Sequence, residues 1–243
     1  MAGELAPPST QAVDFFDSLR PSGKSGGSIF CGKYAIIGAT ARAESAARKT
    51  WSGGERMNVY DFDNTILRGD STARFFAYCL RHYPAMWLDL PGQAVNGALF
   101  LLKLHPKQAF KERMLGFLRR IGDVDAAVER FWAKNFSRVK PWYFAQRRPD
   151  DVVISASPEF LIRPACERLG VGCAMGSPVD RHTGRFSGLN CHGEEKVRRF
   201  REVFPEAQID EFYSDSHSDA PLAALAKRAW LVRGDERIPW KDE

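Results

Sequence analysis

Apolar and polar residues follow a regular pattern along the part of the chain that begins at Met57. Four short apolar segments have the length and composition of buried β-strands, at residues 58–60, 152–154, 209–213 and 230–232. Three segments with helical spacing of apolar residues lie between or after them, at residues 157–170, 194–203 and 219–228. Ser157 and Pro158 fit the N-cap and first position of the first of these helices. Because strands alternate with helices, the pattern predicts a Rossmann-like, doubly wound parallel sheet of the α/β class.

A block of helical patterns at residues 71–148 interrupts this alternation directly after the first strand. Ser71 can cap its first helix, which should stop at Pro84, and Pro106 can open its third. Asp123 can cap the fourth. We therefore expect an α-helical cap inserted into the sheet domain.

The chain thus divides into three parts. Residues 57–70 and 149–243 are expected to form the core, and residues 71–148 the helical cap. Residues 1–56 are rich in Gly, Ser, Ala and Pro, which is typical of a disordered extension. An alternative is a mis-assigned translation start, with Met57 as the true first residue. The Gly-Gly-Glu codons just upstream of Met57 can spell a bacterial ribosome-binding sequence, which favours a bacterial source.

Composition excludes several classes of protein. The 243 residues are 44% hydrophobic, enough for one sizeable core or for a core with a small inserted domain. Five scattered cysteines without a CxxC pair argue against a disulfide framework or a zinc site, so we expect reduced thiols in the cytoplasm. The most apolar window, residues 84–104, contains Asp89, Gln93 and Asn96, so we interpret it as a cap helix or a surface-seeking segment rather than a membrane span.

Positive charge is concentrated in the predicted cap. The whole chain has a formal net charge of +5, whereas residues 71–149 hold 14 Lys and Arg against 5 Asp and Glu. This segment is also rich in aromatic residues. Two interpretations stay open: an ordinary helical cap with a solvated basic face, or a surface that meets anionic lipid or a bulky, partly apolar phosphate ester.

Two carboxylates stand at the end of the first strand, in the run Asp61-Phe62-Asp63-Asn64-Thr65. Ligands of open α/β sheets bind at the carboxyl ends of the strands. At that place one carboxylate can attack a phosphorus atom, and the other can protonate the leaving oxygen and later activate water. A polar turn that caps a helix is the structural alternative for this run alone.

Three further features follow in the chain. Ser155 ends the second strand just before a helix N-terminus, where a hydroxyl and free backbone N–H groups can bind phosphate. Lys196 lies near the start of a later helix. Asp215 and Asp219 follow another strand and offer hard oxygen ligands of the kind that Mg²⁺ prefers.

Together these motifs resemble the four motifs of the haloacid dehalogenase (HAD) superfamily, in the same order, from about Met57 to the end of the chain. The resemblance implies that Asp61 is the nucleophile that becomes a phospho-aspartate and that Asp63 is the general acid and base. It also implies that Thr65 supports the loop, whereas Ser155 and Lys196 bind the phosphoryl oxygens. The implied reaction is hydrolysis of a phosphate monoester.

The same resemblance implies the cofactor. Asp61, the backbone carbonyl of Asp63, and Asp215 would ligate Mg²⁺, with Asp219 in its outer shell or paired with Lys196. Two carboxylates and a phosphate dianion repel one another unless positive charge lies between them, which agrees with this assignment. Mn²⁺ is an alternative, since the assignment rests on oxygen ligands.

The helical insert resembles the type-one cap of the phosphoserine phosphatase-like branch (subfamily IB). That branch has Glu where this chain has Asp70, which therefore is the candidate contact to the rest of the substrate. It has a Gly-Gly pair after the motif serine, where Ala156 and Ser157 stand here. The segments around residues 155–158, 191–197 and 213–216 also show some resemblance to bacterial phosphatidylglycerophosphatase. The expected phosphate- and substrate-binding residues are Thr65, Ser155, Ala156 and Asp70.

The expected partner is therefore a small or lipid-like phosphate ester, with no nucleic acid. The positive charge of the cap also favours an anionic membrane as a peripheral partner. The oligomeric state is left open. The main alternative function is a non-catalytic HAD-like module that binds phosphate or a membrane surface. A mutase is a weaker alternative, because the cap of a mutase usually holds the phosphorylated intermediate. A phospho-aspartate receiver is also weaker, because an acid at Asp63 speeds hydrolysis and the large cap has no use there.

Overall fold

The computed structural model describes residues 29–31, 34–36, 57–104 and 106–241. The described strands form one sheet in the order β2-β1-β5-β4-β3-β6-β7-β8. They are β1 (Ile29–Cys31), β2 (Tyr34–Ile36), β3 (Met57–Tyr60), β4 (Val152–Pro158), β5 (Cys173–Ser177), β6 (Ile209–Ser214), β7 (Ala226–Arg233) and β8 (Glu236–Pro239). The five central strands, in the sheet order β5-β4-β3-β6-β7, are mutually parallel. The strands β1, β2 and β8 pair antiparallel at the two edges. The predicted α/β class and mostly parallel sheet are confirmed.

The described helices fall into two groups. The helical insertion, residues 71–148, contains five α-helices: α1 (Ser71–His82), α2 (Leu90–Leu101), α3 (Lys107–Leu115), α4 (Val124–Asn135) and α5 (Pro141–Gln146). Short 3₁₀ helices link them at Pro84–Asp89, Gly116–Arg120 and Phe136–Arg138. The core contributes α6 (Glu159–Leu169), α7 (Glu194–Val203), the 3₁₀ helix His217–Asp219 and α8 (Ala220–Ala223).

Successive side chains of the central strands point to opposite faces of the sheet, and both faces are buried. Val59 and Ile154 point to one face, where they pack in a cluster with Phe200 of α7. Tyr60 and Val153 point to the opposite face, in a cluster that also contains residues of α6 and of the helical insertion. Because apolar side chains leave both sides of each strand, the sheet needs helices on both faces, as a doubly wound fold provides.

The helical insertion shares its core with one face of the sheet. Phe75, Phe131 and Trp132 belong to the same buried cluster as Tyr60. The indole Nε1 of Trp132 donates a hydrogen bond of 2.7 Å to the carbonyl of Leu161 in α6. The insertion is therefore anchored on α6 by an apolar contact and one buried hydrogen bond.

Two adjacent segments form the base of the insertion: residues 66–68, which precede it, and residues 138–140, where the chain returns beside them before α5. We call these two segments the neck. Leu67 and Val139 form an antiparallel bridge. The backbone N–H of Arg68 donates to the carbonyl of Arg138 at 3.0 Å, and that of Lys140 donates to Ile66 at 2.8 Å. The neck thus fixes the base of the insertion beside the end of β3.

Several predicted boundaries need correction. The helix expected at 219–228 is short, because α8 ends at Ala223 and β7 already begins at Ala226, paired with β6. The strand β5 and the helix α5 were not predicted, and Asp70 rather than Ser71 caps α1. Ser157 does not cap α6, because β4 extends to Pro158 and Pro158 is the N-cap.

Other predictions lie partly beyond the described residues. Of residues 1–56, only β1 and β2 are described, so a disordered extension and a later start both stay predictions. Within the described part of the chain, no helix combines the length and apolar character needed to cross a bilayer.

Candidate active site

The candidate site lies at the carboxyl ends of β3 and β6, which are adjacent and parallel. The backbone N–H of Asp61 donates a 2.8 Å hydrogen bond to the carbonyl of Tyr213, so Asp61 continues the pairing of the two strands. Asp215 follows Ser214, the last residue of β6. Parallel pairing therefore brings the first and last carboxylate motifs to one edge of the sheet.

A buried lysine joins two of the predicted carboxylates. Lys196 Nζ donates hydrogen bonds of 2.7 Å to Oδ1 of Asp61 and of 2.7 Å to Oδ2 of Asp219. The lysine is only 2% exposed, and Asp61 and Asp219 are 7% and 3% exposed. Ser214 Oγ donates a further 2.7 Å bond to the same oxygen of Asp219. A buried ammonium that touches both carboxylates at once is held in place rather than solvated.

The charges of this cluster shift one another. Burial raises the pKa of Asp61 to about 7, against the opposing effect of Lys196 and with a further contribution from Asp219. Burial by itself would lower the pKa of Lys196, but the carboxylates of Asp61 and Asp219 outweigh it and hold that pKa above its ordinary value. The lysine is therefore charged, and it stabilises the ionised form of the predicted nucleophile.

Asp63 is held by donors that the sequence did not single out. Its Oδ1 accepts a 2.7 Å hydrogen bond from the backbone N–H of Ser71, and its Oδ2 accepts one from the hydroxyl of Ser157. The Ser157 hydroxyl also lies 2.9 Å from that of Thr72. Burial raises the pKa of Asp63 to about 6, and the charge of Asp70 adds to the effect. A carboxyl that titrates near neutral pH can serve as both acid and base.

Lys140 of the neck holds the loop that follows Asp61 and Asp63. Asn64 adopts a left-handed conformation with φ of 56°, and its side chain hydrogen-bonds to Asp215. Lys140 is 2% exposed, and its Nζ donates to the carbonyls of Asn64 and Gly234. Burial lowers the pKa of Lys140. A buried lysine that satisfies two carbonyls fixes the loop from the side of the insertion.

Ser155 and Ala156, two of the predicted phosphate-binding residues, lie within β4. Ser155 was expected to end the strand just before a helix N-terminus, but β4 extends to Pro158 and the next helix begins at Glu159. Ser155 is buried, and its Oγ accepts a 3.1 Å hydrogen bond from the backbone N–H of Ser157. The carbonyl of Ala156 accepts from Ser177 Oγ at 2.9 Å and from Lys111 Nζ, in α3, at 3.0 Å. The helical insertion therefore reaches the loop where a phosphoryl group is expected.

Thr65 and Asp70 occupy supporting positions. Thr65 is fully buried, and its hydroxyl donates a 3.3 Å hydrogen bond to Oδ2 of Asp61. Asp70 is the N-cap of α1, and its Oδ1 accepts a 2.7 Å bond from the backbone N–H of Ala73. The capping bond explains why a carboxylate stands at this position whether or not it also contacts substrate.

The donor set suits a hard divalent cation better than it suits a soft one. The carboxylates of Asp61, Asp215 and Asp219 all interact with Lys196, and burial raises the pKa of Asp215 as well. Among the described residues, no three His, Cys, Asp or Glu side chains are grouped so that they alone could hold a metal ion. A cation here would draw its remaining ligands from a backbone carbonyl, water and phosphate, as Mg²⁺ commonly does.

The structure thus joins Asp61, Thr65, Lys196 and Asp219 through direct hydrogen bonds. It adds supporting residues that sequence reasoning missed: Ser71, Ser157, Ser214, Lys140 and Lys111. Ser157 had an available signal, since it lies two residues after the motif serine, but it was interpreted as a helix cap. The others had none, because isolated Ser and Lys residues are common at protein surfaces.

Comparisons with known proteins agree with this geometry. The family profile of haloacid dehalogenase-like hydrolases matches residues 59–224. The CicA protein of Caulobacter vibrioides strain NA1000 is 33% identical over 81 residues, which are 31% of this chain and 36% of CicA. The match therefore spans about a third of that curated relative.

Two relatives match over longer stretches. The histidinol-phosphatase of Neisseria meningitidis serogroup C is 23% identical and covers 76% of this chain and 93% of its own length. The phosphoserine phosphatase SerB1 of Mycobacterium tuberculosis strain H37Rv is 26% identical, over 74% of this chain and 65% of its own.

A solved structure shares the fold. The crystal structure of a Bordetella pertussis Tohama I protein of unknown function is similar at a TM-score of 0.62 and 21% identity, covering 72% of this chain and 89% of that one. At this identity the similarity concerns the fold alone.

Proposed function

Because the chain belongs to the haloacid dehalogenase-like hydrolases, we propose that it hydrolyses phosphate monoesters through a phospho-aspartate on Asp61. The observation that carries the proposal is the buried Lys196, whose ammonium touches both Asp61 and Asp219 at 2.7 Å. A structural ion pair needs no second carboxylate. A phosphoryl-transfer site does need a fixed cation beside its nucleophile, because negative charge accumulates there.

The proposed reaction has two steps. An oxygen of Asp61 attacks phosphorus, the bond from phosphorus to the ester oxygen breaks, and Asp63 gives its proton to the leaving alcohol. Asp63 then takes a proton from water, whose oxygen attacks phosphorus and releases inorganic phosphate from Asp61. The pKa of Asp63, raised to about 6 by burial, suits a group that must give and take a proton near neutral pH.

The roles of the surrounding residues follow from their positions. Ser155, the backbone at Ala156, and Lys196 would bind the phosphoryl oxygens, and Thr65 would hold Asp61. We propose that Asp61, the carbonyl of Asp63, and Asp215 hold Mg²⁺, with Asp219 engaged by Lys196. When bound, Mg²⁺ would offset the repulsion between the carboxylates and the phosphate dianion.

The substrate is proposed only as a class, a small or lipid-like phosphate ester. The two relatives that match over long stretches are named for different esters, histidinol phosphate and phosphoserine, so they support the reaction and not one substrate. We propose that the helical insertion acts as the cap that selects the ester, because Lys111 reaches the loop at Ala156. Asp70 stays a candidate contact to the rest of the substrate.

We also propose a cytoplasmic, bacterial setting with peripheral contact to anionic membranes. Three buried cysteines, Cys79, Cys166 and Cys191, are free thiols, as is usual in a reducing compartment. The membrane contact rests on the basic charge of the insertion, 14 Lys and Arg against 5 Asp and Glu in residues 71–149.

The test is a phosphatase assay of the full chain with Mg²⁺ against p-nitrophenyl phosphate, phosphoserine, histidinol phosphate, sugar phosphates, lysophosphatidate and phosphatidylglycerophosphate. Asp61→Asn keeps the shape of the side chain but removes the nucleophile, and Asp125→Asn, at the exposed start of α4, is the matched control. We expect Mg²⁺-dependent release of phosphate by the control and none by Asp61→Asn. Turnover that survives Asp61→Asn would refute the nucleophile, and a folded protein that hydrolyses no ester would favour a phosphate-binding module.

A further inference from the structure

The helix α2 turns its apolar side toward solvent. Leu101 is 81% exposed, Leu102 is 68% exposed and Val95 is 60% exposed. With the preceding 3₁₀ helix they form one surface, the apolar ridge, whose large members are Trp87, Leu88, Val95, Leu101, Leu102 and Leu104. These are six of the nine exposed large hydrophobic residues in the described part of the chain, so the exposure is concentrated rather than scattered.

The polar side of the same helix faces the protein. Asn96 is 3% exposed, and its Nδ2 donates a 3.1 Å hydrogen bond to the carbonyl of Phe110 in α3. Gln93 Nε2 donates to the carbonyl of Arg113 at 3.0 Å. A surface helix of a globular protein normally buries its apolar side and exposes its polar side. In α2 two polar side chains lie on the side that faces the protein, beside Phe100, whose ring stacks on Phe110 at 4.4 Å, and the apolar residues of the ridge face solvent.

The part of this surface that belongs to α2 carries no charged residue. From Leu90 to Leu102 the sequence contains no Asp, Glu, Lys or Arg. The residues Leu88, Pro91, Val95, Ala98, Leu101 and Leu102 follow one another along one side of the helix, and all are exposed. A continuous, uncharged apolar face that is about as long as the helix can enter the boundary between lipid head groups and acyl chains.

Basic side chains border the apolar ridge. A groove beside Leu88 and Val95 is lined by the guanidinium groups of Arg113, Arg119, Arg120 and Arg185, with Asp89 and Glu112 as the acidic members. Arg120 pairs with Asp89 at 2.9 Å. Lys103 lies exposed at the end of α2. An apolar face with an excess of basic residues at its rim is complementary to a bilayer with anionic head groups.

We propose that the apolar ridge docks the protein on the surface of an anionic bilayer, with α2 lying in the plane of the membrane. The inference names the surface for the membrane contact of the proposed function, but it does not depend on catalysis. A second copy of this chain is the less suitable occupant. Pairing two ridges would bring together two insertions that each carry a large positive net charge.

The experiment measures co-sedimentation of the full chain with vesicles of phosphatidylcholine alone and of phosphatidylcholine mixed with phosphatidylglycerol. Neither lipid is a phosphate monoester, so binding is separated from turnover. The test variant is Leu101→Ser with Leu102→Ser, and the matched control is Leu189→Ser, which replaces a 59% exposed leucine outside the insertion. Because all three leucines are exposed, the substitutions should leave the fold intact.

We expect the unchanged chain and the Leu189 control to bind the anionic vesicles, and the double variant to bind about tenfold less or not at all. Hydrolysis of p-nitrophenyl phosphate should be the same in all three proteins, since the ridge lies outside the proposed site. Brominated lipid should quench tryptophan fluorescence in the unchanged chain and much less in Trp87→Phe.

Two results would overturn the proposal. One is that the unchanged chain binds neither kind of vesicle. The other is that it is a dimer at micromolar concentration and that the double variant is a monomer, which would assign the ridge to a second copy. Loss of hydrolysis by Asp61→Asn with vesicle binding retained would leave the docking proposal standing whatever the substrate is.

Discussion

Asp63 keeps its position through hydroxyl groups and a backbone amide rather than through a charged partner. Its two oxygens accept hydrogen bonds from the N–H of Ser71 and the hydroxyl of Ser157, and Thr72 supports that hydroxyl at 2.9 Å. Ser71 and Thr72 belong to the first turn of α1, so the proposed acid is oriented jointly by the core and the insertion. Neutral donors fix the carboxyl while leaving its protonation state free to change.

Ser157→Ala should slow the chemical step more than it weakens substrate binding. We expect kcat to fall roughly tenfold with little change in KM, because Asp63 acts on the leaving oxygen mainly in the transition state. The Ser157 hydrogen bond lowers the pKa of Asp63, so its loss should move the pH limb governed by Asp63 to higher pH. Ser187→Ala, at an exposed serine, is the control. An unchanged kcat and pH profile would show that Ser157 only supports the fold.

Asp151 should make stability depend on pH. Burial raises the pKa of Asp151 to about 7 in the folded protein, whereas an Asp in the unfolded chain has a pKa of about 3.9. Between these values the unfolded state loses the proton that the folded state keeps. The free energy of unfolding should therefore fall as the pH rises from about 4 to about 7 and level off above.

The comparison with Asp151→Asn checks this slope. Urea denaturation at a series of pH values should show the variant gaining stability relative to the unchanged chain as the pH rises through that window. The exposed Asp125→Asn is the surface control. Parallel curves for Asp151→Asn and the unchanged chain would contradict the prediction.

The site residues that could be predicted from the sequence are paired carboxylates at a fixed spacing after a strand. Asp61 and Asp63 stand one residue apart after a strand, and Asp215 and Asp219 follow another strand. Ser157 meets Asp63 across 94 positions of sequence, and that pairing depends on how α1 packs against β4. Contacts between residues so far apart in the sequence can be identified only from the folded structure.

Element boundaries were predictable where local signals agree with packing. The predicted and observed limits of α7 are both Glu194 and Val203, and Asp123 caps α4 through the N–H of Ala126. The Ala-rich segment at 219–228 favours a helix by intrinsic propensity. The last residues of this segment nevertheless form the start of β7, because they pair with β6. Pairing within the sheet outweighs the intrinsic helix propensity of these residues.

The strand β5 was not predictable from its composition. The sequence Cys-Ala-Met-Gly-Ser lacks the β-branched and aromatic residues that mark most strands. A Cβ on Gly176 would lie 2.5 Å from the Cα of Glu159, so the close approach of β5 to the start of α6 requires glycine. Small residues here are a consequence of element packing.

Gly176→Ala should therefore destabilise the fold by about 1–3 kcal/mol, because the backbone of α6 must shift to admit the methyl group. Gly97→Ala in α2 is the contrasting change, since no described residue outside the adjacent backbone of α2 lies within 4 Å of the place that its methyl group would take. At that position alanine restricts the backbone of the unfolded chain, so the substitution should raise the free energy of unfolding by up to about 1 kcal/mol. Urea midpoints that moved in the same direction for both variants would refute this packing argument.

At the scale of the whole molecule, charge is distributed unevenly. The chain has a formal net charge of +5, yet residues 71–149 have 14 basic and 5 acidic side chains, so the remainder is net acidic. The insertion would therefore attract dianionic esters toward the mouth of the site over distances longer than direct contact. Attraction of this kind weakens when salt screens it.

Reversal of one exposed charge on the insertion tests the attraction. Arg119→Glu should raise KM for a soluble phosphate ester by about two- to threefold at low ionic strength and by less at high ionic strength. Arg120 is less suitable, because it is engaged with Asp89. Lys241→Glu makes the same change in net charge at an exposed position outside the insertion. A KM ratio that does not vary with salt would exclude steering by the insertion.

The neck has a consequence for how such a protein can change over evolution. Because Leu67 and Val139 pair side by side, the chain departs from the core and returns to it at one point. A foreign segment with closely spaced ends could be grafted there without altering the register of β3 against β4, as nested domains generally require. The graft would have to cover the face of α6 that Trp132 now occupies. It would also have to retain Lys140 of the neck, whose ammonium donates to the carbonyl of Asn64 in the loop after Asp61.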